Sequence, residues 1–391
     1  RDVLLLRAQH STARRRTALR LLMDRRAEAA KLAALTIARD VDDPLRAEVL
    51  AELPAWRDEA VDLFLVSLVG KTFDKKGGAP HPFNLLLERI RDSDHPLGIR
   101  ATQKLEKRIA YMLISPDWRI ASRGIELARG LDGTVGIPLL IDALGAWNRR
   151  LQYGGGSKRV QYEIVRELQD ISGMGIGPYA RRWRTWWIAV RQGRAPLKRD
   201  YSPSEERTQA SFFGLRPVSD RVTFIIDCSG SMETEWGTTE HSRYQEAIEQ
   251  MMQYLQASGE QTRFNVILFN DVTQRSSAQL VQATTETLER ARNELLAFEP
   301  DLGTQLRPAV ELALRMGPGG AFDVERLEAD TIVILCDGET NEGPGWVGPL
   351  LKSIHAEARV VFHCVMIGQA GDGTLERLAE ETGGEFVRVA G

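Results

Sequence analysis

Along the 391 residues the spacing of apolar positions changes character once, near residue 200. From Thr12 to about Val190 apolar residues recur three and four apart, which lays them on one face of a helix, and strict alternation is almost missing. From Val222 onward the rhythm is different. Short apolar runs at 222–226, 264–269, 331–335, 360–367 and 386–389 are separated by amphipathic stretches at 242–256, 285–298, 306–315, 347–358 and 374–381. That alternation predicts parallel β-α units. Ser242 and Gln245 form a capping-box pair at the head of the first predicted helix, and Gly383-Gly384 closes the last. The chain is therefore predicted to be multidomain. An all-α array over 1–192 leads through a linker at 193–215, rich in Pro, Ser, Arg and Glu, into a doubly wound α/β parallel sheet over 216–391.

Two stretches of the helical half look like copies of one helix pair: 42–70, DDPLRAEVLAELPAWRDEAVDLFLVSLVG, and 115–147, SPDWRIASRGIELARGLDGTVGIPLLIDALGAW. In each, an Asp or Ser cap precedes a Pro expected in the first turn, where its missing N–H costs nothing. Arg46 or Arg119 follows, then a short break and a more apolar second helix. The pair resembles HEAT-type repeats, in which stacked helix pairs bury each other's apolar faces. Loops at 71–82 and 153–157 interrupt the array. The second, YGGGS, lacks the G-x-x-x-x-G-K-[ST] spacing of a nucleotide-binding loop and reads as a turn. The segment 181–191, RRWRTWWIAVR, places Trp183, Trp187 and Val190 on one helical face, as a cap for the last repeat. A functional alternative leaves Trp186 with Arg181, Arg182 and Arg184 outside, as a stacking and phosphate surface for single-stranded nucleic acid.

Composition adds charge asymmetry to this picture. Residues 1–200 hold 36 Lys and Arg against 24 Asp and Glu, and residues 201–391 hold 15 against 30. A basic half beside an acidic half points either to mutual attraction or to a basic surface for nucleic acid or an acidic partner. No apolar run is long enough to span a bilayer. The first residue is Arg, so a preceding targeting segment is left open, and the compartment with it. Cys228, Cys336 and Cys364 have neither disulfide nor zinc spacing and are expected to be buried thiols.

The chemistry lies at the carboxyl ends of the predicted strands, where such sheets bind ligands. Asp227-Cys228-Ser229-Gly230-Ser231 follows the first strand, Leu302-Gly303-Thr304 precedes the 306–315 helix, and Asp337-Gly338-Glu339 follows the third strand. Together with VTFIIDCSGSM, RFNVILFND, GTQLRPAVELAL, TIVILCDGETNEG and LAEETGGEFVRV, this order resembles the von Willebrand factor A domain over about 211–391. The resemblance implies a metal-ion-dependent adhesion site. Ser229, Ser231 and Thr304 would offer hydroxyl oxygens, and Asp227 and Asp337 would bind directly or through water. Leu302 departs from the family, which often has two glycines before the threonine. Hard cations such as Mg2+ or Mn2+ take about six oxygen ligands with few carboxylates, so five groups leave one position open. Glycines at 230, 303 and 338 are expected to let the backbone turn tightly around the ion.

The leading expectation is a non-enzymatic binding protein whose metal accepts an Asp or Glu carboxylate from a protein partner. Ser229 has no G-x-S-x-G elbow, and His241, His355 and His363 show no metal-ligand spacing. Two other classes stay open. The Ro autoantigen family also joins HEAT-like helices to an A-type domain and binds RNA on the helices. A-type domains also serve as partner subunits of MoxR or chelatase ATPases, although this sequence has no nucleotide loop of its own.

Overall fold

The computed structural model describes residues 10–25, 28–70, 81–92, 94–198, 211–238, 240–301, 303–317, 320, 322–338, 340–355, 358–369 and 371–390. The chain divides into two compact units, one of 1–146 with 179–197 and the other of 147–178 with 198–391.

The first unit is helical. It holds α1 (Thr12–Arg25), α2 (Glu28–Arg39), α3 (Arg46–Glu52), α4 (Glu59–Leu68), α5 (Pro82–Arg91), α6 (Ile99–Leu113), α7 (Trp118–Arg129) and the first part of α8 (Gly133–Gln152). After α9 (Lys158–Ser172), which belongs to the second unit, it closes with α10 (Ala180–Arg191). The helix caps expected at Asp43 and Ser115 do not form: the N-caps are Leu45, with no side-chain cap bond, and Asp117. Asp43 Oδ1 accepts from Leu45 N at 2.9 Å and Ser115 Oγ from Asp117 N at 3.2 Å. Each folds a side-chain turn around the proline, so Pro44 and Pro116 lie in the approach and α3 and α7 begin at Arg46 and Trp118. The N-cap of α7 is Asp117, which accepts from Arg119 N at 2.9 Å. Most of the 71–82 loop lies outside the described residues, whereas the 153–157 turn ends in Ser157, the N-cap of α9.

One expectation for α10 is overturned. Trp186 is 7 % exposed and packs edge-on against Trp183, with ring centroids 5.6 Å apart, and beside Trp187 at 6.0 Å. Positions 183, 186 and 187 are i, i+3 and i+4, so one apolar stripe carries all three rings inward. Trp186 therefore offers no stacking platform. Among the arginines once grouped with it, Arg184 pairs with Asp142 at 2.5 Å, Arg182 lies over the Tyr179 ring, and Arg181 is exposed. Trp186→Ala is expected to cost the helical unit about 3–5 kcal/mol, as truncation of a buried aromatic does. Urea denaturation measures it, and a change within about 0.5 kcal/mol would contradict the burial.

The second unit contains β1 (Arg221–Asp227), α11 (Arg243–Ser258), β2 (Arg263–Phe269), β3 (Thr273–Arg275), β4 (Val281–Gln282), α12 (Thr285–Leu296) and α13 (Leu306–Ala313). It continues with β5 (Thr331–Cys336), α14 (Val347–His355), β6 (Val361–Ile367), α15 (Thr374–Thr382) and β7 (Phe386–Val389). The sheet order is β3-β2-β1-β5-β6-β7, with β4 also on β2. The sheet is mixed, not wholly parallel as expected: β3 and β4 run antiparallel to β2. Only residues 270–272 join β2 to β3, far too few for a crossover, so that connection has to reverse direction.

Alternation along the central strands sends side chains to both faces, and both are covered. Val222, Phe224 and Ile226 of β1 share one core with Tyr244, Ile248, Met251 and Leu255 of α11. Residue Ile225 points the other way, toward the face on which α13 packs. The α9 helix joins at the amino-terminal edge. Asp220 Oδ1, just before β1, accepts from Lys158 N at 3.2 Å and Ser157 Oγ at 3.3 Å, and Arg159 reaches Thr331 at the start of β5 at 3.5 Å.

Candidate metal centre

The chain leaves β1 toward β2 on one side of the sheet and later returns to β5 on the other. The carboxyl ends of β1 and β5 therefore flank a topological switch point, where no connecting helix fills the space above the strands. Asp227 ends β1, and Asp337 directly follows β5. Both carboxylates are withdrawn from water, Asp227 completely.

Buried carboxylates need partners, and hydrogen bonds from the same loops provide them. Asp227 Oδ1 accepts from Ser229 N at 2.8 Å, and its Oδ2 accepts from the Cys336 thiol at 3.0 Å. Ser229 Oγ lies 3.0 Å from Ser231 Oγ, which donates to Asp337 Oδ1 at 2.7 Å. The second oxygen of Asp337 accepts from Arg243 Nη1 at 2.8 Å. Asp227, Ser229, Ser231 and Asp337 thus form one connected set. Desolvation pushes the Asp227 carboxyl up to about 6 and is opposed by the Cys336 and Ser229 hydrogen bonds. Burial, with Asp227 alongside, also lifts the Cys336 thiol well above its ordinary range.

Thr304 stands on the loop before α13, half-buried. Backbone bonds tie that loop to its neighbours: Asn341 N, beyond β5, donates to Thr304 O at 3.1 Å, and Gln305 N donates to Asn270 O at 2.9 Å. A Cβ on Gly303 would stand 2.5 Å from Asp271 Oδ1, so that exposed side chain would have to turn aside. The expectation for the other two glycines changes. Gly230 and Gly338 have no left-handed backbone and no crowding, so neither turn depends on glycine. Leu302 and Glu339 lie outside the described residues.

Two site residues were not anticipated. Cys336 is buried as expected, but it also orients Asp227. Arg243 is the first residue of α11, directly after the Ser242 cap, whose capping box with Gln245 forms as predicted. A signal for it was present in the sequence. A cation in the first helical turn opposes the helix dipole, so its placement calls for a carboxylate nearby. Two of the histidines lie off the site. His363 is buried in β6 with Nδ1 accepting from Glu385 N, and His241 is exposed beside Glu246.

A family model described as the von Willebrand factor type A domain matches residues 222–390. Inter-alpha-trypsin inhibitor heavy chain H1 of Sus scrofa is 27 % identical over 190 residues, covering 46 % of this chain and 20 % of that protein. Inter alpha-trypsin inhibitor, heavy chain 4, of Mus musculus is 30 % identical over 180 residues, covering 45 % of this chain and 18 % of that protein. The chain thus spans about a fifth of the length of these relatives. Among solved structures, a von Willebrand factor type A protein from Catenulispora acidiphila aligns with a TM-score of 0.35 and 18 % identity, covering 45 % of this chain and 40 % of that one.

Proposed function

We propose that the von Willebrand factor type A domain formed by residues 222–390 makes this chain a divalent-cation-dependent binding protein, in which the metal accepts a carboxylate from a protein partner. Asp227, Ser229, Ser231, Thr304 and Asp337 would hold the ion, and Mg2+ or Mn2+ suits an all-oxygen donor set.

The observation that carries the reading is the gathering of oxygens from Asp227, Ser229, Ser231 and Asp337 at the switch point: Ser229 Oγ and Ser231 Oγ are 3.0 Å apart, and Ser231 Oγ and Asp337 Oδ1 are 2.7 Å apart. When bound, the ion would supply a fixed positive charge for an anionic ligand. The protein's own contribution is orientation, because Ser229 N and the Cys336 thiol hold both oxygens of Asp227 in place.

The site reads as one for binding without turnover. Among the described residues, the side chains outside the donor set that hydrogen-bond its two carboxylates are Cys336 and Arg243.

The test is capture from the native source on the immobilised full chain, with Mg2+ and then with chelator. A protein released by chelator from wild type and weakened at least about tenfold by Thr304→Ala, at unchanged melting temperature, supports the reading. Changing the partner's metal-binding Asp or Glu to Ala should have the same effect. Capture that ignores both chelator and Thr304→Ala would overturn it, as would Mg2+- and Asp337-dependent cleavage of a phosphoester or peptide.

A further inference from the structure

Asp337 accepts two hydrogen bonds of different kinds. Ser231 donates to Oδ1 as a neutral hydroxyl, and Arg243 donates to Oδ2 as a cation, 2.8 Å away. The Asp337 side chain is 0 % exposed and that of Arg243 is 20 % exposed, so the pair is largely out of solvent and weakly screened. The base of Arg243 is fixed. Its own N donates to Thr234 O at 2.8 Å, the Ser242–Gln245 capping box locks the first turn of α11, and a Glu235–Ser242 bridge closes the preceding loop. Its Nε is buried and has no hydrogen-bond partner. A cation held there against the helix dipole, with a buried donor left unsatisfied, is costly for stability alone. The bond to buried Asp337 offsets part of that cost and holds the guanidinium beside the donor set.

We infer that Arg243 sets the charge of the metal site: it is the counter-ion of Asp337 when no metal is bound, and it leaves the loaded site with a net positive charge that selects an anionic ligand. The inference rests on the metal reading above. Asp227 and Asp337 together balance a divalent cation, and Arg243 adds one positive charge. Two effects of opposite sign follow. The bare cation binds more weakly, because it meets a like charge beside Asp337 and competes with it for that carboxylate. An anion in the open coordination position binds more strongly, because it neutralises the surplus. Arg243 thus couples metal retention to the arrival of an acidic partner.

The experiment is a Mn2+ titration of the full chain followed by the electron paramagnetic resonance of free Mn2+, with and without acetate as a one-carboxylate probe. Arg243→Gln is expected to bind Mn2+ alone about tenfold more tightly than wild type, while Arg243→Lys, which keeps the charge, stays within about threefold of wild type. Acetate is expected to tighten Mn2+ binding in wild type and to lose most of that effect in Arg243→Gln. Circular dichroism on each variant checks that the fold is retained, and Arg243→Met, which also removes the charge, repeats the comparison should Arg243→Gln unfold. Equal or weaker Mn2+ binding by Arg243→Gln would overturn the inference and show that Arg243 only positions Asp337. Equal enhancement by acetate in wild type and Arg243→Gln would overturn its ligand-selecting part. Wild type that binds no Mn2+ would instead sink the metal reading itself, and the inference with it.

Discussion

In wild type, Mg2+ at about 100 times its dissociation constant is expected to stabilise the protein by about 2.7 kcal/mol, and Asp227→Ala is expected to lose the whole increment. For a unit of this size that is a rise of roughly 5–10 °C in melting temperature, read by scanning calorimetry or dye fluorescence. Linkage gives the size: a ligand that binds only the folded state removes folded molecules from the unfolding equilibrium. Asp227 is the residue to remove because it is fully buried at the end of β1, and because Ser229 N and Cys336 fix its two oxygens. Its loss takes away one of the two carboxylates of the set. The β1 core should survive, since Phe224 and Ile226 keep their packing against α11. Equal shifts in wild type and Asp227→Ala would place the metal elsewhere.

At the opposite edge of the sheet, Asp330→Asn is expected to stabilise the second unit by roughly 1–3 kcal/mol at pH 8, and much less at pH 4. Asp330 is fully buried just before β5. Its Oδ1 accepts from Ser219 at 2.6 Å and Thr331 at 2.9 Å, while Oδ2 is buried without a hydrogen-bond partner. Desolvation raises its carboxyl above the usual range, neighbouring Asp220 adds to the rise, and Arg159 opposes it. A carboxyl raised in the folded state contributes stability at low pH that is lost as pH climbs through the folded value. Asparagine keeps the acceptor for Ser219 and Thr331 and carries no charge, so this loss should vanish. The neighbouring His363 works in the other direction. Burial, helped by Arg159 and Arg166, lowers it to about 3, so stability falls as pH drops below the ordinary histidine range. Asp227, raised to about 6, slopes the same way as Asp330, so wild type should lose stability as pH rises through mildly acidic values, and in Asp330→Asn the Asp227 and histidine slopes should nearly cancel. Denaturant midpoints from pH 4 to pH 8 test this. A less stable Asp330→Asn at pH 8 would mean that Arg159 needs Asp330 charged in addition to Glu163, its other partner.

Much of the second unit could be read along the chain because its signals are local. The run at 264–269 lies in β2, which begins one residue earlier at Arg263, the run at 386–389 is β7 with those bounds, and Ser242 caps α11 through the predicted pair. A strand buried on both faces has to be a continuous apolar run, and a cap acts over three residues, so neither needs distant information. The order of the oxygen-bearing loops was legible for a related reason: each directly follows a strand or precedes a helix.

What only the tertiary structure decided concerns partners far apart in sequence. No local pattern says that α9 caps the sheet through Asp220, that Arg243 meets Asp337 across 94 positions, or that the Cys336 thiol turns toward Asp227. The antiparallel β3 and β4 are three and two residues long, too short for a period to show. For Trp186 both readings were helical, and only packing showed that the i+3 ring turns inward with its neighbours. Asp330 looks in sequence like an ordinary polar residue before a strand, and His363 like a polar residue within an apolar run. Their shifts come from burial, reinforced for Asp330 by Asp220 and for His363 by Arg159 and Arg166 of α9, and desolvation exists only once the elements have closed over them.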